Sequence, residues 1–306
     1  MPRRVSAEVV CGTGDRDAWL AARGSMITAS DVAAVLGLNP YQSPLALYCE
    51  KLGLLPRGEI GEPGKWGLRL ERAIREAYTE ETGRPAREAQ VLLRSAEHPH
   101  LGATCDAYTT IRTDSDPLEL KTTGAHRAAD WDDGAPAYYM PQIQTQIFVC
   151  GADVASAAVL IGGQRFRWFD VERDDAVIRD IIELTADFQR RLALKEPPAP
   201  TGDESSMDAL RALFPQEHEG KRIELPHAAQ LLDERIADLG AQVSVFEEER
   251  SRLKQELAAM IGDAEEAYLP NGAKWTWRTT ERKEYTVQAQ TRRELRRSAA
   301  KKGRAK

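Results

Sequence analysis

Asp106 is followed thirteen residues later by Leu118-Glu119-Leu120-Lys121, two carboxylates and an amine in or beside short apolar runs. Both runs read as strands. Side chains alternate along a strand, so Glu119 and Lys121 share one face while Leu118 and Leu120 point into the core. Two carboxylates and an ammonium on one sheet face are electrostatically costly unless something holds them there. A divalent metal does so well, because Mg²⁺ is a hard cation that takes oxygen ligands and keeps several waters for chemistry. A lysine beside it can orient an attacking water and help deprotonate it. A lone Glu-x-Lys is more simply a solvated ion pair, and here the context argues against that reading. Glu71 stands upstream in Gly67-Leu68-Arg69-Leu70-Glu71, where alone it would read as an exposed partner of Arg75. A glutamine-bearing helical stretch follows downstream.

The elements that must carry these residues are legible in the pattern. A helix is predicted over 66–81, with Trp66, Leu70, Ala73, Ile74, Ala77 and Tyr78 on one face and Gly83-Arg84-Pro85 ending it. Extended runs follow at 90–94, 101–107, 108–112 and 118–122. Pro141 opens a helix through Val149, since a first turn needs no amide hydrogen from it. Strands at 154–161 and 165–171 and a helix at 174–194 complete a mixed α/β layer structure. Residues 195–206 crowd proline, glycine and serine together and read as a linker.

Beyond the linker, a long helix is predicted over 228–261. Leu232, Ile236, Leu239, Val243, Phe246, Leu253, Leu257 and Met260 step by three and four, broken once by Arg250. That stripe suits a partner helix or a fold back on the body. A hairpin then turns on Asn271-Gly272 between 266–269 and 273–277. The expected division is 1–195, a linker over 196–226, and 227–306.

The composition excludes several classes. Among 306 residues, 42% hydrophobic and 29% charged, no run approaches the ~18 apolar residues of a spanning helix. Met1-Pro2-Arg3-Arg4-Val5 leads into acidic and polar residues, so no secretory signal and a cytoplasmic location are expected. Cys11, Cys49, Cys105 and Cys150 are scattered without a Cys-x-x-Cys pair, which excludes a compact disulfide scaffold and argues against a zinc ribbon. His98-Pro99-His100 has no third ligand at a sensible spacing and reads as a polar turn. The net charge is −6, yet residues 274–306 carry +9 and the remainder −15. An acidic body with a basic tail fits a local polyanion contact better than a globally basic binder, although basic termini are commonly solubilising tails.

Gly-x-x-x-Glu, then Asp, then Glu-x-Lys resembles the PD-(D/E)xK nuclease superfamily. Two further segments narrow the resemblance to its phage lambda-exonuclease-like branch, the YqaJ-type viral recombinases. Residues 19–31, Trp-Leu-Ala-Ala-Arg-Gly-Ser-Met-Ile-Thr-Ala-Ser-Asp, are similar to that branch's Trp-x-x-x-Arg…Ile-Thr-Ala-Ser motif. Residues 138–146, Tyr-Tyr-Met-Pro-Gln-Ile-Gln-Thr-Gln, are similar to its Tyr-x-x-Gln-x-Gln helix. The motifs fall in family order over roughly residues 15–190. Asp106 departs from the pattern by sitting in Ala-Thr-Cys-Asp-Ala, and Pro141 by replacing a helix former.

The resemblance implies a restriction-endonuclease-like core, a central mixed sheet flanked by helices, with the long helix and β-hairpin appended. It implies that Glu71, Asp106 and Glu119, with the Leu120 carbonyl, bind one or two Mg²⁺ ions, Mn²⁺ substituting. Lys121 would position the nucleophilic water, with Gln142 and Tyr139 ordering the site from the helix behind. Arg23, Thr28 and Ser30 resemble a pocket for a DNA 5′-phosphate, a guanidinium and hydroxyls near a helix N-terminus being a ready anion site. The same hydroxyls also suit capping of a helix over 31–36. The implied activity is digestion of linear duplex DNA from the 5′ end, leaving 3′ single strands. The implied partners are DNA ends, a single-strand annealing protein and further copies of the chain in a ring-shaped trimer, with no membrane. The alternatives are a structure- or site-specific endonuclease on the same core, a non-catalytic DNA-end-binding recombination module, or an oligomerisation protein built on the 228–261 helix.

Overall fold

The computed structural model describes residues 7–56, 58, 61–89, 91–281 and 295. The predicted strand position Gln90 and most of the basic tail lie outside the described residues. The chain divides into two compact units, Met1–Pro215 and Gln216–Lys306.

The first unit begins with β1 (Ala7–Gly12), α1 (Arg16–Gly24), β2 (Ile27–Thr28), α2 (Ala29–Val35) and α3 (Pro44–Lys51). The segment that carries the chemistry follows: α4 (Glu62–Thr82), β3 (Ala86–Glu88), β4 (Val91–Ser95), β5 (Leu101–Ala103), β6 (Ala107–Thr109) and β7 (Asp116–Thr123). A 3₁₀ segment (Ala125–Trp131) leads to α5 (Met140–Cys150), β8 (Val154–Ile161), β9 (Arg165–Glu172), α6 (Asp175–Leu194) and α7 (Glu204–Leu213).

The strands form two sheets. One is five-stranded in the order β3-β6-β7-β8-β9, parallel at β7/β8 and antiparallel elsewhere. The other is four-stranded in the order β1-β4-β5-β2. The mixed sheet flanked by helices is therefore present, with a second sheet beside it. Residues 101–107, read from the sequence as one strand, are divided between the two sheets. The chain leaves β5 in one sheet, crosses at Thr104-Cys105-Asp106 and enters β6 in the other. Gly102 suits this junction: a Cβ there would collide with Met26 and lie 2.9 Å from the Leu93 carbonyl oxygen.

Alternation along the strands sorts the five-stranded sheet into two faces. Leu118, Leu120 and Ala158 pack with Ile74 and Tyr78 of α4. Ala155 and Ala157 pack with Ile143 and Ile147 of α5. Proline in the first turn and a left-handed glycine after the last turn bound both helices: Pro63 and Gly83 (φ 67°) for α4, Pro141 and Gly151 (φ 65°) for α5. The face predicted for α4 holds at Leu70, Ile74, Ala77 and Tyr78, whereas Trp66 and Ala73 are exposed. Trp66 instead lies beneath the Arg69 guanidinium, 5.0 Å from ring centroid to Cζ.

The stretch expected to be a linker, 196–226, also needs correction. Asp203 caps α7 through the Ser206 amide at 2.9 Å, and Ala209 of α7 is fully buried beside Cys49 of α3. Leu210 and Leu213 pack on the same core. The Pro/Gly/Ser run is thus a short connection inside the first unit, and the units part after Pro215.

In the second unit, α8 (His227–Ile261) runs for 35 residues without a buried side chain, and Leu232, Ile236, Leu239, Val243, Phe246, Leu253 and Met260 are exposed. The expected hairpin pairs β10 (Glu266–Tyr268) with β11 (Lys274–Thr276). Gly272 takes φ 83° in its turn. No helix among the described residues is long and apolar enough to cross a membrane.

Candidate active site

The β6–β7 hairpin brings Asp106 to Glu119. Asp116 is fully buried and closes the turn by accepting the amides of Ile111, Arg112 and Thr113 at 3.0, 2.7 and 2.8 Å. That turn fixes the register with Ala107 opposite Leu118. Asp106, one residue earlier, then accepts the Leu120 N–H on Oδ2 at 2.8 Å. Glu119 is 2% exposed and faces α5. Its Oε1 accepts from Lys121 Nζ and from Gln142 Nε2 at 2.6 Å, and its Oε2 from Gln146 Nε2 at 2.6 Å. Lys121 Nζ also lies 3.5 Å from Gln142 Oε1 and 4.8 Å from the centroid of the Tyr139 ring. Asp106, Glu119, Leu120, Lys121, Gln142 and Tyr139 therefore meet as the sequence implies.

Glu71 joins them by charge. It lies on α4, whose apolar face packs on the opposite side of β7, and burial and then the Glu119 charge push its carboxyl above the usual range. Asp106 is pushed up further, by burial first and then by Glu119, against the opposing pull of Lys121 and the Leu120 amide. Burial works against the Lys121 ammonium, but Glu119 and Asp106 outweigh it and hold the amine protonated. An amine so held is a poor base.

Among the described residues, no three His, Cys, Asp or Glu side chains are gathered into a ready metal cage. The donor chemistry nevertheless fits a hard cation. A carboxylate offers about four lone-pair positions, and the three contacts on Glu119 leave one open on Oε2. Gln146 Oε1 is a buried acceptor without a hydrogen-bond partner in the same cluster. The Glu119 charge raises the pKa of both Glu71 and Asp106, and a divalent cation placed among these carboxyls relieves that repulsion.

Arg23, Thr28 and Ser30 also come together. Arg23 Nη2 donates to Ser30 Oγ at 2.7 Å, and the Thr28 and Ser30 hydroxyls lie 3.2 Å apart. Thr28 is the N-cap of α2, and Asp31 accepts its amide at 2.9 Å and its hydroxyl at 2.8 Å. The helix expected over 31–36 thus begins at Ala29, so Thr28 caps it while Ser30 lies within its first turn. Burial opposes charge on Asp31, but Lys51 at 2.8 Å and Arg23 overcome it and lower its pKa. Lys51 also donates to the carbonyls of Arg23 and Met26 at 2.9 and 2.7 Å, pinning this turn. Sequence reasoning missed Lys51, and its position at the end of α3 gave no signal.

Gln146 was missed as well, and here a signal existed: it stands one helical turn after Gln142, on the same face. Gln144, which the motif includes, points elsewhere, to the Glu172 carbonyl at 2.8 Å and the Asp174 amide at 2.9 Å. Thr104 joins the two residue groups. Its hydroxyl accepts from Trp19 Nε1 at 3.3 Å and its carbonyl from Gln146 Nε2 at 3.4 Å. The Arg23 guanidinium lies 4.5 Å from the centroid of the Trp19 ring. His98 and His100 form the expected polar turn, with His100 Nε2 3.1 Å from Thr185 Oγ1.

Fold and site together define a mixed α/β protein with an acid–amine cluster at the junction of two sheets. Residues 18–153 match the model of the YqaJ-like viral recombinase domain. It is 29% identical over 272 residues to YqaJ, an uncharacterized protein of Bacillus subtilis (strain 168), covering 87% of this chain and 85% of that one. Such coverage exceeds the first unit, so the likeness extends into the second. An alkaline exonuclease from Laribacter hongkongensis superposes with a TM-score of 0.49 at 24% identity, over 59% of this chain and 94% of that one. The same enzyme in complex with dAMP gives 0.48 at 23%, with the same coverage.

Proposed function

We propose that the chain is an Mg²⁺-dependent exodeoxyribonuclease that digests linear double-stranded DNA from the 5′ end and leaves 3′ single strands for recombination by annealing. The observation that carries this reading is the meeting of Asp106, Glu119 and Lys121 with Gln142 and Tyr139 on one side of β7. Asp106, Glu119 and the Leu120 carbonyl, with Glu71, would hold one or two Mg²⁺ ions, Mn²⁺ substituting. A bound divalent ion supplies Lewis-acid polarisation of the phosphate and lowers the pKa of coordinated water. Lys121, kept protonated, donates to the attacking water and offsets the negative charge that grows on the phosphate. Gln142 and Tyr139 hold that amine in line. Arg23, Ser30 and Thr28 grip a terminal 5′-phosphate through a guanidinium and hydroxyls, which restricts attack to an end. A single-strand annealing protein and a ring-shaped homotrimer belong to the same proposal.

The test is a time course on linear duplex labelled at either end, with and without a 5′-phosphate, in Mg²⁺ or in chelator. Closed circular duplex is the control. Mg²⁺-dependent loss of the 5′ label first, faster from phosphorylated ends, is the expected result. Equal cutting of closed circles favours an endonuclease, and no release under any metal favours a non-catalytic end-binding module.

A further inference from the structure

We infer that Gln146 is a positioning residue that aims the Glu119 oxygen left open for a metal ion. This rests on the metal-dependent reading above. The two glutamine amides on one face of α5 divide the carboxylate between them. Gln142 and Lys121 occupy Oε1, and Gln146 alone holds Oε2, the oxygen with a lone-pair position to spare.

The orientation of the Gln146 amide follows from its surroundings. Nε2 faces two acceptors, Glu119 Oε2 at 2.6 Å and the Thr104 carbonyl at 3.4 Å. A flipped amide would set its oxygen against both. Gln146 is fully buried, so water cannot take over the donor's part. A buried donor that fixes one oxygen of a ligating carboxylate acts as outer-shell partners of metal ligands do, and loss of such a partner commonly weakens metal affinity about 10- to 100-fold.

The experiment is calorimetric titration of Mn²⁺ into the metal-free full chain, for wild type, Gln146→Met and Gln144→Met. Gln146→Met keeps the length and volume and removes the donor. It should bind Mn²⁺ about 10- to 100-fold more weakly and raise the Mg²⁺ concentration for half-maximal digestion by a similar factor, with a smaller change in kcat at saturating Mg²⁺. Gln144→Met, whose native amide serves Glu172 and Asp174, should bind as wild type does. Should Gln146→Met not fold, Gln146→Asn withdraws the amide by one methylene and gives the same readout. A Gln146 variant with a lower unfolding midpoint and unchanged Mn²⁺ affinity overturns the positioning role and leaves the nuclease reading standing. A wild-type chain that binds no Mn²⁺ overturns both.

Discussion

Asp106 Oδ2 accepts the Leu120 backbone N–H at 2.8 Å, so a carboxylate on the segment between two sheets is fastened to the strand that carries Glu119 and Lys121. The bond follows from register, since Ala107 pairs with Leu118 and the preceding residue must lie beside 119–120. Its consequence is electrostatic. Asp106 is held beside the Glu119 charge in a buried place where its own carboxyl ionises with difficulty, a charge pattern that a further cation would complete.

That cost should appear as a pH dependence. Burial and then Glu119 hold the Asp106 carboxyl well above its ordinary 3.8, and Glu71 is raised in the same direction. A raised acid stabilises the fold fully below its unfolded value, and the contribution is lost as pH rises through the folded value. The metal-free chain should therefore lose stability as pH climbs from about 4 through the raised values. Asp106→Asn, whose amide oxygen can still accept the Leu120 N–H, should flatten that fall and raise the metal-free unfolding midpoint at pH 8. Mg²⁺ should stabilise the wild type and not the variant. Thermal unfolding across pH, with and without Mg²⁺, checks each part.

Lys121→Met tests the amine. Removing it strips Glu119 of its cationic partner and Tyr139 of its cation–π contact. Breaking a fully buried pair costs about 3–5 kcal/mol, and with the lysine side chain 20% exposed a loss of about 1–3 kcal/mol is expected. Nucleotide release should fall by about 10²–10³-fold. A variant that keeps the wild-type rate at saturating Mg²⁺ would remove Lys121 from the chemistry.

Much of this arrangement was legible because it is locally encoded. The strand at 154–161 lies where its apolar run placed it, and glycines end α4 and α5. The alternation that set Glu119 and Lys121 on one face holds. What stayed hidden depends on tertiary context. Gly102 is the one breaker in residues 101–107 and precedes the crossing, so nothing at Thr104-Cys105-Asp106 itself announces that the chain changes sheets there. α7 was masked by the prolines before it, because ten residues give too few turns for a clear apolar period. Gln144 and Gln146 are two residues apart and so point to different sides of α5, and motif spacing alone does not say which side faces Glu119.

Arg23→Gln tests the end-recognition pocket. The variant can still donate toward Ser30, but it loses the charge and the planar group above Trp19. A charge-assisted hydrogen bond contributes about 1.5–3 kcal/mol, so the rate advantage of 5′-phosphorylated over 5′-hydroxyl ends should shrink by about 10- to 100-fold. The variant's rate on 5′-hydroxyl ends should change little. Paired time courses on the two substrates give the ratio, and an unaltered ratio would place phosphate recognition elsewhere.

The boundary between the units is testable by truncation. A chain ending at Pro215 keeps α7, whose Ala209 is fully buried and whose Ser205 hydroxyl accepts the Ser43 amide at 2.8 Å. It should unfold cooperatively on its own. A chain ending at Lys195 loses α7 and uncovers Cys49 and Leu45 of α3 in the core beneath it. Emptying a core position costs about 2–5 kcal/mol, and 1 kcal/mol moves the midpoint of a domain this size by about 2–4 °C. The shorter chain should therefore melt roughly 5–15 °C below the longer one. Equal midpoints would return residues 196–215 to the role of a linker, because the packing of Ala209, Leu210 and Leu213 would then contribute nothing measurable to the first unit.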